Sequence, residues 1–150
     1  MSKQLAFPMT LPTGNMDAYI SAAFQLPILT AEEARHLLDS IDVEKLAGLR
    51  DRALIGTMVY SFARVSAVIS MRVDDCFVQQ KRMWFRLHEK GGKRHEVPAH
   101  HNAEAYMHAY LDAAGIGADK KTPLFRTFDR QRQLTDRGMH RNEVLAMIKR

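Results

Sequence analysis

A single cysteine, Cys76, stands in 150 residues. One thiol makes no internal disulfide and no cysteine-pair metal site. Acidic neighbours do not lower its pKa, so a thiolate nucleophile is not expected. No apolar run approaches the roughly 18 residues that a membrane span needs. The N-terminus lacks the basic start and apolar core of a secretory signal, so an intracellular, cytoplasmic chain is expected. Gly-rich phosphate loops are missing: Glu89-Lys90-Gly91-Gly92-Lys93 has neither the length nor the Ser/Thr of a Walker motif. No Gly-x-Ser-x-Gly elbow occurs. There are seven histidines, but they lack metal-site spacing. His100 and His101 are adjacent, and His101 and His108 lie two turns apart on a helix. Neither a metal nor a small-molecule cofactor is expected.

What is present is basic charge, unevenly placed. The net charge is +5, with a pI near 9.6. Residues 1–79 carry seven Lys/Arg against nine Asp/Glu, residues 80–96 six against two, and residues 126–150 seven against three. Clustered basic charge favours a polyanion through counterion release, although a solvated basic surface has the same composition. The hydrophobic fraction of 46% is ordinary for one globular domain.

Residues 1–29 are punctuated by Pro8, Pro12, Gly14 and Pro27 and sustain no core pattern. They read as an arm or linker remnant with at most one short helix, over Asn15 to Gln25. The globular part, residues 30–150, opens on a capping box, Thr30-Ala31-Glu32-Glu33. Its helix runs to about Ile41, with Ala34, Leu37, Leu38 and Ile41 on one face. A central core helix is expected from Val43 to Phe62, because Ala53 to Tyr60 is apolar nearly all round. From residue 72 the period changes. Met83, Phe85 and Leu87 alternate with Trp84, Arg86 and His88, as in a strand. Gly91-Gly92 makes a turn, Arg94 to Val97 returns, Pro98 stops the pairing, and Asp75 to Gln79 adds an earlier strand. A helix from Asn102 to Ala114 buries Ala105, Tyr106, Ala109 and Ala113, and Gly115 ends it. Pro123-Leu124-Phe125-Arg126 is a loop. A last helix starts near Thr135 or Arg137, buries Val144, Leu145 and Ile148, and is still running at Lys149-Arg150. The class is α+β, mostly α, with a small three-stranded antiparallel sheet.

Two cations stand out. Arg64 follows the apolar helix in Ser61-Phe62-Ala63-Arg64-Val65-Ser66. An arginine there is costly to bury unless it meets an anion. Its fork matches two phosphate oxygens, while the plainer reading is a structural pair with Asp74 or Asp75. Lys90 lies at the tip of the Gly-Gly hairpin, on the face of Trp84, Arg86 and His88. A lysine there protonates a leaving oxygen or neutralises a phosphate, or it is a solvated turn lysine. Lys93 and Arg94 suit phosphate contacts. His88 and His95, in facing strands, meet DNA or each other.

In order and spacing, these pieces resemble the tyrosine recombinase (phage integrase) family over roughly residues 29–150. Leu29-Thr30-Ala31-Glu32-Glu33 looks like the opening of its catalytic domain, and Leu49-Arg50-Asp51-Arg52-Ala53-Leu54-Ile55 like its second helix. Phe62-Ala63-Arg64-Val65-Ser66 is similar to the motif of the first catalytic arginine, and Met71-Arg72-Val73-Asp74-Asp75 leads into the family's sheet. Glu89 to Pro98 resembles the hairpin of the catalytic lysine, and Pro123-Leu124-Phe125 the loop before the next helical section. The resemblance implies catalytic roles for Arg64 and Lys90 and DNA contacts from Arg86, His88, Lys93, Arg94 and His95. It also implies the chemistry. A tyrosine attacks a DNA phosphodiester, a 3′-phosphotyrosine forms and a 5′ hydroxyl leaves, two arginines and a histidine stabilise the charge, and the lysine acts as general acid, without a metal. The implied partner is double-stranded DNA, with a homo-oligomer on it and no membrane.

The departures carry weight. Ala67 replaces the acidic residue usual after the Ser of the arginine motif, so support for Arg64 is expected from Asp74 or Asp75. There is no His-x-x-Arg, and His140-Arg141-Asn142-Glu143 does not match one. Tyr19, Tyr60, Tyr106 and Tyr110 all precede the nucleophile's place in the family. The expectation is a catalytic-domain fragment that lacks the second arginine, the histidine and the tyrosine, and is inactive alone. The alternative is a non-catalytic DNA-binding or partner-regulating remnant.

Overall fold

A computed structural model describes residues 31–149, so the Thr30 cap and the arm over residues 1–29 lie outside the described residues. The chain divides into two compact units, one ending at Ser40 and the other beginning at Ile41. The first contains helix α1 (Ala31–Asp39). Ala34 and Leu38 are buried and Leu37 is half-buried, in line with the apolar face. The helix closes at Ser40, whose N–H donates to the His36 carbonyl at 2.9 Å, so Ile41 falls beyond it.

In the second unit, helix α2 (Leu46–Ser61) is the core element. Every residue from Ala53 to Val59 is buried, which is why no polar face interrupts that stretch. The helix starts later than Val43 because Asp42 to Lys45 form a turn, with Asp42 Oδ1 accepting from the Glu44 N–H at 3.0 Å. The Asp42 carbonyl then lies against Gly48, where a Cβ would stand only 1.7 Å from it. Phe62 ends the helix in the left-handed region at φ 58°. Helix α3 (Val65–Ile69) follows, and then a single 3₁₀ turn, Val73–Asp75.

The expected sheet is present. Strands β1 (Cys76–Gln79), β2 (Arg82–His88) and β3 (Arg94–Pro98) are antiparallel in that order. Phe85 pairs with Cys76 on one side and Val97 on the other. Met83, Phe85 and Leu87 are buried, as their alternation requires. Helix α4 (His101–Ala114) packs against α2, and Gly115 caps it at φ 67°. Its buried stripe is Ala103, Met107 and Tyr110, not the expected one. Tyr106 and Ala109 are half-buried, while Ala105 and Ala113 are exposed. The stripe turned because small alanines fill both faces, so the large side chains decide which faces the core.

The C-terminal part departs most from expectation. Strands β4 (Arg126–Phe128) and β5 (Leu134–Gly138) form a second, two-stranded sheet where a loop and the start of a helix were expected. Asp129 builds the turn, its Oδ1 accepting from the N–H groups of Gln131 at 2.9 Å and Gln133 at 2.8 Å. Thr127 and Thr135 hydroxyls meet across the pair at 2.6 Å. Helix α5 (Arg141–Ile148) starts only after His140 and ends one residue before Lys149. It buries Val144 and Met147, with Leu145 and Ile148 half-buried.

Candidate functional site

Arg64 emerges where the backbone breaks between α2 and α3. It is the N-cap residue of α3 in extended conformation, and its side chain makes no capping bond. Its neighbours Ala63 and Val65 are buried at 2% and 5% exposure, yet Arg64 itself is exposed. The plainer structural reading required Asp74 or Asp75 as its partner, and both carboxylates are taken by other groups. Asp74 pairs with Lys121 at 2.9 Å, and that hydrogen bond holds its carboxyl below the usual range. Among the described residues no carboxylate pairs with Arg64. Ala67 is buried, so the position that lacks the family's acidic residue faces the core.

Asp75 is 4% exposed. Its Oδ2 accepts the Arg72 N–H at 2.9 Å, which closes the 3₁₀ turn. Its Oδ1 lies 3.2 Å from His88 Nε2 and 3.7 Å from the Arg86 guanidinium. Arg86 also donates to Glu96 on β3 at 2.9 Å and lies over the Phe77 ring on β1 at 4.7 Å. The Glu96 hydrogen bond pushes the Arg86 pKa up further. Of the residues expected to meet DNA, Arg86 is thus held by two carboxylates of the chain itself, Asp75 in the 3₁₀ turn and Glu96 on β3.

Lys90 is exposed in a five-residue turn between His88 and Arg94. Glu89 N–H donates to the Lys93 carbonyl at 2.7 Å across its base. Gly91 and Gly92 sit at φ 81° and 80°, conformations that glycine adopts without steric cost. Lys93, Arg94 and His95 are exposed beside it. His88 and His95 do not meet: the register sets His88 opposite Arg94 and His95 opposite Leu87, on opposite faces of the sheet. Helix α3, which Arg64 heads, packs against β2, which leads to Lys90.

The C-terminal basic residues fall mostly outside the last helix. Arg130 and Arg132 belong to the β4–β5 turn and Arg137 to β5, all exposed, leaving Arg141 inside α5. Arg126 is buried and structural, donating to the Pro123 carbonyl at 2.9 Å and the Thr122 hydroxyl at 2.5 Å. Arg50 is likewise internal, paired with Asp51 at 2.6 Å and donating to the Arg126 carbonyl at 2.8 Å.

The described tyrosines are structural. Tyr110 is fully buried, donates to the Leu124 carbonyl at 2.7 Å, and has its pKa pushed up to about 12 by burial. Tyr60 stacks on His100 at 4.1 Å and accepts from Asn102 at 3.0 Å. Tyr106 packs its ring over Gly56 and under Arg52. Tyr19 lies outside the described residues. Burial and the Asp75 charge push the Cys76 thiol up, away from reactivity. Among the described residues no group of three His, Cys, Asp or Glu is placed to hold a metal ion. No helix among them is long and apolar enough to cross a membrane.

Comparison with known proteins identifies the family and the fold. The model of the phage integrase family matches residues 27–150. Tyrosine recombinase XerC of Chlamydia muridarum is 32% identical over 124 residues, covering 81% of this chain and 38% of the relative. XerC of Pelobacter propionicus is 33% identical over 97 residues, covering 65% of this chain and 31% of the relative. The chain therefore spans about a third of the length of these relatives. The fold is shared with XerH site-specific recombinase, solved as a post-cleavage complex with its palindromic difH substrate. The TM-score is 0.54 at 14% identity, over 81% of this chain and 35% of that one. With that family model matching well over half of its length, the chain belongs to the phage integrase family.

Proposed function

We propose that residues 30–150 are part of a site-specific recombinase catalytic domain that grips a DNA phosphate between Arg64 and the Lys90 hairpin. The observation that carries this is Arg64. A guanidinium set between buried neighbours, with both candidate carboxylates committed elsewhere, is available to an external anion. Its planar fork suits two phosphate oxygens, and Lys90, Lys93 and Arg94 add charge from one exposed turn. In the full reaction Arg64 would stabilise the charge that builds on the phosphorane, and Lys90 would protonate the departing 5′ oxygen.

The nucleophile is another matter. The 150 residues contain no His-x-x-Arg, and the three described tyrosines are engaged in packing and hydrogen bonds. These residues alone are therefore read as binding DNA without cutting it, and cleavage as needing groups they do not contain. Association of copies on one duplex belongs to the same proposal.

The test is equilibrium binding to a short labelled duplex across a salt series. Log affinity should fall steeply with log salt, by a slope of about −0.9 for each phosphate engaged. Lys90→Ala, Lys93→Ala and Arg94→Ala should each flatten that slope by about 1 and weaken all duplexes alike. No phosphotyrosyl product should form. Binding that is absent at low salt would remove the reading, and cleavage by the 150 residues would overturn its non-catalytic part.

A further inference from the structure

We propose that Asp75 is the positioning residue for the Lys90 turn, an inference that rests on the reading of that turn as a DNA contact. The Lys90 turn has little to hold it from within. Nothing lies within 4 Å of where a Cβ would stand on Gly91 or Gly92. Both glycines take left-handed conformations, and Lys90, Lys93 and Arg94 are exposed. The direction in which Lys90 points is therefore set at the base of the turn. Three contacts form that base: the His88–Arg94 pair, the Glu89 N–H to Lys93 carbonyl bond, and His88 on Asp75.

Asp75 is suited to the task because it is buried and committed on both oxygens. A buried carboxylate is costly unless its lone pairs are filled. Oδ2 is filled by the Arg72 N–H, which fixes the turn joining α3 to β1. Oδ1 is filled by His88, the last residue of β2, with Arg86 behind it. Arg86 extends the hold to β3 through Glu96 and to β1 through Phe77. One side chain thus joins the segment that follows the Arg64 helix to the strand that leads into the Lys90 turn. The carboxylate that the sequence offered as a partner for Arg64 instead governs the second cation of the proposed site.

A double-mutant cycle on the 150-residue chain separates this role from plain structural support. Lys90→Ala should weaken duplex binding severalfold. Asp75→Asn should weaken it to a similar degree, and Lys90→Ala should then add little, because a misdirected lysine has little left to lose. Amide exchange is the independent readout. Protection at Glu89 should fall in Asp75→Asn while the α2 amides keep theirs. His88→Gln leaves the Arg72 bond intact and should reproduce the Glu89 effect, and it carries the cycle if Asp75→Asn does not fold. Additive losses in affinity with unchanged Glu89 exchange would overturn the proposal. A Lys90→Ala variant that binds like the parent would instead sink the DNA reading, and Glu89 exchange would still decide whether Asp75 holds the turn.

Discussion

Tyr110 shows how one residue's surroundings decide its role. It is of the residue type expected to attack DNA, yet its hydroxyl is spent on the Leu124 carbonyl inside the core. Tyr110→Phe should cost about 1–2 kcal/mol of stability, since a buried carbonyl loses its donor. It should also change the alkaline limb of stability. The folded pKa is raised to about 12, above the usual value of 10.0. The contribution is therefore complete below pH 10 and lost as pH climbs towards 12. Chemical denaturation of both proteins at pH 9 and pH 11 should show that extra loss in the parent alone. Arg64 makes the converse case. The sequence told that an arginine ended an apolar helix, but not whether a carboxylate would meet it. That answer depends on where Asp74 and Asp75 fall, and Lys121, 47 positions from Asp74, claims one of them.

At the scale of elements, legibility followed the strength of the period. The strict alternation of Met83 to His88 and the apolar run through α2 were readable because each has one structural solution. The start of α5 was not, since its N-cap is His140. Its Nδ1 accepts from the Asn142 N–H at 3.3 Å, outside the Ser, Thr, Asp and Asn set that marks a helix start. His100 caps α4 in the same way at 3.1 Å. The β4–β5 pair was hidden because neither strand alternates, and the pair is held by the Asp129 turn and the two threonines. The beginning of α2 was set by a contact no periodicity reveals, the Asp42 carbonyl against Gly48. Gly48→Ala should destabilise the second unit by at least about 1–3 kcal/mol through overpacking against backbone. The gain from replacing a helical glycine is only about 1 kcal/mol. A thermal melt that stays level or rises would show that the turn yields.

At the scale of the whole molecule, Arg64 heads α3 and Lys90 follows β2, two elements that pack together within the span matched by the family model, residues 27–150. The basic excess lies around the Lys90 hairpin and along the β4–β5 turn into α5. Whether Arg64 holds a phosphate is decided by the duplex affinity and thermal stability of Arg64→Ala, measured side by side. Arg64 makes no capping bond and is exposed, so stability should stay within about 0.5 kcal/mol of the parent. Duplex affinity at low salt should fall severalfold. Unchanged affinity, or a loss of folding that accounts for the weaker binding, would contradict a phosphate-binding role for Arg64.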